Sequence, residues 1–186
     1  GHLLKVFHIF EYLKHNSNAR LVFDPTHPTI DYVRFPANDW EQFYGNETEQ
    51  LPHDMPEPLG WEMIITVHVD ANLAGNKVTR RSRTGFIVFL NQAPIYWYSK
   101  KQGCIKTGTF CAEFTTMKTC CKYVRGLQYK LRMLGIPVCQ PAFVYGDNQA
   151  VLKNTSIPES TLNKKSNSIA YHFVCEGVVR GEWITG

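Results

Sequence analysis

Apolar positions in residues 2–14, HLLKVFHIFEYLK, fall on Leu3, Val6, Phe7, Phe10 and Leu13. That is one face at helical spacing, and it predicts an amphipathic helix. A turn at Asn16–Asn18 follows, then a short apolar run, Arg20–Phe23. From Asp24 to Gly60 the pattern dissolves, with six of the ten prolines among acids and isolated aromatics. Proline denies both helix interior and central strand, so this stretch reads as a linker or an extended wrapping loop. Beyond Gly60 the pattern is orderly again. Residues 63–69, MIITVHV, predict a buried strand ending at Asp70. Thr84–Leu90 and Ile95–Ser99 predict an antiparallel hairpin around a turn at Asn91–Pro94, and Lys106–Thr109 suggests one more short strand. A long helix is expected from Phe110 to Leu134, where Gly135 and Pro137 stop it. Residues 142–146, AFVYG, predict a short buried strand ending at Asp147, then a helix through Lys153. A basic loop, Asn163–Asn167, precedes a helix at Ser168–Val179, and Glu182–Thr185 begins a strand that the chain end cuts off. The expected class is α/β: a mixed sheet, antiparallel in its first three strands, flanked by helices.

No apolar run approaches the roughly 18 residues of a membrane helix, and no signal peptide is visible after Gly1. The six cysteines form no C-x-x-C pair, so reduced, mostly buried thiols of an intracellular protein are expected rather than disulfides or zinc. Charge divides the chain more sharply than the net +4 implies. Residues 1–60 carry four Lys/Arg against nine Asp/Glu, a balance of −5; residues 61–186 carry sixteen against seven, a balance of +9. A basic region suits a polyanion, or is simply a solvated face.

Scarcity makes each acid of the basic region informative. Glu62, Glu159, Glu176 and Glu182 sit in polar or turn-like surroundings. Asp70 and Asp147 are expected at strand ends, where open α/β sheets gather ligands, and Glu113 in the first turn of the long helix. Converging there, the three would repel one another unless divalent cations held them, which is the arrangement of two-metal phosphodiester hydrolysis. Taken alone, each also reads as a turn residue or as a favourable charge at a helix N-terminus.

The segments HVDANLAG (68–75), RRSRTGFIVFLNQAPIYWYSKKQ (80–102), TFCAEFTTM (109–117), YGDNQAVL (145–152) and IAYHFVCEG (169–177) resemble the ribonuclease H domain of copia-type retrotransposon polyproteins. Residues 2–23 resemble the helix and short strand that close the reverse transcriptase of those polyproteins. The resemblance implies three regions: 1–23, the reverse transcriptase tail; 24–60, an acidic Pro-rich linker or wrapping loop; and 61–186, a ribonuclease H-like domain truncated at its C-terminus. It further implies two Mg²⁺ or Mn²⁺ ions held by Asp70, Glu113 and Asp147, which match the first aspartate, the A-E-aromatic glutamate and the D-N-Q aspartate. The implied reaction is hydrolysis of RNA paired to DNA, with the rest of the polyprotein as partner and no membrane. Thr109 and Gln149 match positions near the hybrid's minor groove, where 2′-OH groups distinguish RNA, and Asn148 is a further candidate for substrate binding. Lys100, Lys101 and Gln102 are candidates for backbone contacts.

Three positions depart from the common pattern: Asn72 and Ser168 replace aspartates, and Cys111 replaces a glutamate. The family's fourth ligand lies in an A-D motif beyond the last strand, so the chain as given is expected to turn over poorly. The alternative reading is a catalytically inactive nucleic-acid-binding remnant of a degraded element. An integrase is disfavoured by the acid order Asp, Glu, Asp and by the missing His/Cys module. A polymerase is disfavoured because no aromatic-x-Asp-Asp motif occurs.

Overall fold

The computed structural model describes residues 2–75, 78–106, 108–160 and 168–186. The basic loop expected at Asn163–Asn167 lies outside the described residues. Five strands form one sheet: β1 (Ile65–Asn72), β2 (Arg83–Leu90), β3 (Ala93–Lys101), β4 (Ala142–Tyr145) and β5 (Trp183–Thr185). Their spatial order is β3-β2-β1-β4-β5. The first three pair antiparallel, whereas β4 runs parallel to both β1 and β5. The helices are α1 (His2–His15), the short α2 (Glu41–Tyr44), α3 (Thr109–Met133), α4 (Gln149–Ser156) and α5 (Ser168–Val179). The mixed α/β sheet expected from the sequence is therefore present, and it has the ribonuclease H-like arrangement.

The core lies between the sheet and α3, α4 and α5. Alternation in β1 puts Val67, Val69 and Ala71 inside, while Phe114, Met117, Cys121, Val124 and Leu131 project from α3 at helical spacing to meet them. Trp183, fully buried, fills the space beside α5. All six cysteines are free thiols; four are buried, and Cys104 and Cys139 are exposed.

Several boundaries differ from expectation. β1 continues through Asp70 to Asn72, because β2 supplies pairing partners as far as Arg83. The hairpin turn tightens to Asn91–Gln92, with Asn91 in the left-handed region at φ 54°. The short strand expected at Lys106–Thr109 falls partly outside the described residues; among those described, none is in a strand and Thr109 already opens α3. Residues 24–60 lie against the domain. Phe35 stacks edge-on with Phe143 and Tyr145 on the sheet face opposite α3, and buried Trp40 joins the main core. Glu49 and Glu47 pair with Arg132 and Arg180 at 2.6 and 2.8 Å. By contrast, α1 leaves its apolar face exposed, from Val6 at 43% to Leu3 at 66%.

Candidate functional site

Three elements bring three acids together. Asp70 projects from within β1, two residues before its end, rather than from the strand terminus. Asp147 follows β4 after Gly146, on the strand parallel to β1. Glu113 begins the second turn of α3, not the first, because that helix starts at Thr109. One carboxylate oxygen from each lies within 4.8 Å of the others. Asp70 and Asp147 are exposed, while Glu113 is buried at 8%.

Electrostatics at this point are unfavourable for three anions. Burial, and then the charges of Asp147 and Asp70, push the Glu113 carboxyl up to about 7. The backbone N–H of Ala71, which donates to Glu113, opposes that shift. Among the described residues no Lys, Arg or His forms an ion pair with any of the three. Hard oxygen donors, clustered and unneutralised at the end of a sheet, suit a divalent cation such as Mg²⁺ or Mn²⁺.

The other expected site residues fare differently. Thr109 is exposed and opens α3, although the N-cap itself is Gly108. Asn148 caps α4, its Oδ1 accepting from the N–H groups of Ala150 and Val151 at 3.1 and 3.2 Å. Gln149 is exposed beside it. Lys100 and Lys101 end β3 rather than following the hairpin, and strand alternation sends them to opposite sheet faces. Gln102 turns inward. Its Nε2 donates to the Ala112 carbonyl at 3.0 Å and to Thr84 Oγ1 at 3.2 Å, tying the hairpin to α3. Buried at 6%, it is a brace and not a surface contact.

Glu182 is the acid whose setting the sequence misrepresents. It is 3% exposed and accepts from Arg125 Nε at 2.5 Å, and the Arg125 guanidinium lies over the Phe173 and Trp183 rings. Its neighbours Arg180 and Gly181 read as a polar turn. The buried tryptophan one residue later was the available signal.

No protein-family profile matches the chain. Among curated proteins it is 30% identical over 122 residues to the Pol polyprotein of transposon RE1 of Arabidopsis thaliana. It is 28% identical over 119 residues to that of transposon TNT 1-94 of Nicotiana tabacum. These matches cover 66% and 64% of the chain but only 8% and 9% of the polyproteins. Among solved structures, an RNase H1 isolated from compost (LC11-RNase H1) aligns with a TM-score of 0.51 over 66% of this chain and 82% of that one, at 12% identity. The same enzyme in complex with RNA/DNA hybrid aligns at 0.52, 11% identical, over 66% and 83%. Sequence thus relates the chain to the Pol polyproteins of copia-type retrotransposons, and its fold is that of ribonuclease H. Among the described residues, no helix is long and apolar enough to cross a membrane.

Proposed function

We propose that the chain is the ribonuclease H module of a copia-type Pol polyprotein and hydrolyses the RNA strand of RNA–DNA hybrids. The convergence of Asp70, Glu113 and Asp147 within 4.8 Å, with no ion pair to any of them among the described residues, carries this reading. Residues 61–186 are then the catalytic domain, 24–60 the segment wrapping it, and 1–23 the end of the preceding polymerase. The three carboxylates would hold Mg²⁺ or Mn²⁺, which when bound supplies an activated water and stabilises the departing oxygen. The protein's own part is positional. β1 and β4 fix two acids side by side, and α3 delivers the third from a buried backbone turn. Thr109 and Gln149, exposed on the N-terminal turns of α3 and α4, are the side chains assigned in this reading to the minor groove of a hybrid. The basic balance of +9 supplies phosphate attraction that weakens as salt rises.

The test is cleavage of a labelled hybrid in Mg²⁺, with Asp70→Asn and Asp147→Asn as controls. Each variant should lose at least about a thousand-fold in rate, the scale of several kcal/mol of transition-state charge stabilisation. Hybrid that binds but is not cut by the wild-type chain would favour the inactive-remnant reading instead.

A further inference from the structure

On the sheet face that α3 covers, the core turns polar as it nears the three acids. From Ser82 along β2 the inward positions are Ser82, Thr84, Phe86 and Val88, all buried. The last two join the apolar core, and the first two are hydroxyls. Thr116, fully buried in α3, and Gln102, buried just past β3, lie against them. The covered face of an antiparallel sheet is ordinarily apolar. Here the polar groups bond to one another. Gln102 Nε2 lies 3.2 Å from Thr84 Oγ1, 3.4 Å from Thr116 Oγ1 and 3.0 Å from the Ala112 carbonyl. Thr116 Oγ1 lies 3.2 Å from Thr84 Oγ1 and 3.1 Å from that same carbonyl. The Gln102 backbone N–H donates to the Ser82 carbonyl at 2.8 Å, and Ser82 Oγ accepts from the Ala74 N–H at 3.2 Å.

This network closes around Glu113. Ala112, whose carbonyl both Gln102 and Thr116 reach, is the residue before it. Thr84 pairs in register with Ala71, which follows Asp70 and whose N–H donates to Glu113. One set of hydrogen bonds therefore ties the helix turn that carries Glu113 to the strand pair that carries Asp70. Stability alone does not call for it. Apolar groups of the same shape could fill this space at little or no loss, and Gln102 Oε1, buried with no partner among the described residues, carries a cost. What an apolar filling lacks is direction. Repacked apolar cores lose uniqueness before they lose stability, whereas a hydrogen-bonded network holds one arrangement, here one rotation and depth of α3. A metal site needs that, because its ligands must be held to within about half an ångström.

We infer that Gln102, acting with Thr84 and Thr116, is a positioning residue for Glu113, holding its carboxylate at the distance from Asp70 and Asp147 at which the three share a divalent cation. Gln102 itself touches neither metal nor substrate; it acts through the Ala112 peptide. The inference rests on the proposed function and deepens it, from the ligands to the groups that aim one of them. A brace that only fastened the end of β3 to α3 would stabilise the fold and leave metal affinity alone.

The experiment measures Mn²⁺ binding to the full chain, from the electron paramagnetic resonance of the free ion, beside urea denaturation of the same variants. Gln102→Met keeps the volume and removes the amide. It should raise the Mn²⁺ Kd at least about five-fold, below the roughly 10–100-fold effect of losing a direct partner of a metal ligand. Two substitutions at Thr84 separate aim from stability, and they decide the matter even if Gln102→Met does not fold. Thr84→Ser keeps the hydroxyl and deletes a buried methyl, so it should lose stability and bind Mn²⁺ like the wild type. Thr84→Val keeps the shape and deletes the hydroxyl, and it should bind Mn²⁺ more weakly than Thr84→Ser does. Equal Mn²⁺ affinity of Gln102→Met and the wild type overturns the inference. So does a Kd that follows urea stability across the variants, with Thr84→Ser the weaker binder of the Thr84 pair. Mn²⁺ binding that Asp70→Asn abolishes and Gln102→Met leaves unchanged sinks this inference and leaves the proposed function standing. A wild-type chain that binds no Mn²⁺ sinks both.

Discussion

Two buried glutamates stand at opposite ends of the same helix-covered core, and their surroundings are opposite in sign. Glu182, 3% exposed, meets Arg125 at 2.5 Å, the guanidinium lying over two aromatic rings, and its backbone carbonyl accepts from Gln128 Nε2 and from the Ala142 N–H. Glu113, 8% exposed, meets two more carboxylates and is pushed up to about 7. A buried charge must be paired, neutralised or given to a metal. Among the described residues, one of these glutamates has an internal cation and the other has none. The paired acid marks architecture; the unpaired one marks chemistry.

The largest expected effect breaks the paired end. Arg125→Ala strands Glu182 in the core and removes the cation lying over Phe173 and Trp183. It should destabilise by about 2–4 kcal/mol, somewhat below the fully buried case because the Arg125 side chain is 35% exposed. Chemical denaturation in urea measures it. A variant within about 0.5 kcal/mol of wild type would mean that Glu182 finds water or a proton at little cost.

That contrast also explains what was legible in the sequence. Periodicity found every strand of the sheet and all three helices packed on it, because hydrophobic alternation is written locally. Asp70, Glu113 and Asp147 could be picked out since acids are scarce after residue 60 and each adjoined an apolar run. Beyond the hairpin, contacts between distant segments were not legible. β1 runs on to Asn72 because of β2, Gln102 turns inward because Thr84 and the Ala112 carbonyl await it, and Glu182 is buried because Trp183 fills the space beside α5. Phe35 and Trp40 likewise looked like isolated aromatics in a Pro-rich stretch. Only the folded sheet gives them surfaces to cover.

A pair of glycines sharpens the comparison at intermediate size. At the Glu182 end, a Cβ on Gly177 would overlap the indole of Trp183, which has no room to move. Gly177→Ala should therefore cost about 1–3 kcal/mol through overpacking, despite alanine's better helix propensity. At the acidic end, a Cβ on Gly146 would lie 3.3 Å from Leu152 Cδ2 and 3.5 Å from Met117 Cε, both ends of flexible side chains. Gly146→Ala should cost less than Gly177→Ala, by thermal unfolding of the two variants side by side. The reverse order would show that the acidic end is the more tightly packed of the two.

The smallest effect concerns the unpaired glutamate itself and needs its sign worked out. Burial and the two aspartates raise the Glu113 carboxyl in the folded chain from 4.5 to about 7. Between those values the folded state holds a proton that the unfolded state has released. The contribution of Glu113 to stability is thus fully present below about 4.5 and is lost as pH rises through about 7. Metal-free protein should lose on the order of 1–2 kcal/mol across that window from this group, and Glu113→Gln, which cannot ionise, should lack that component. Adding Mg²⁺ at pH 7.5 should restore stability to the wild type and much less to the Gln variant, since a bound cation replaces the missing proton. Urea denaturation at pH 5 and pH 7.5, in EDTA and in Mg²⁺, measures all four conditions. Parallel pH dependence in the wild type and Glu113→Gln would mean that the three carboxylates do not feel one another, and the distinction between the paired and unpaired acids would fail at its functional end.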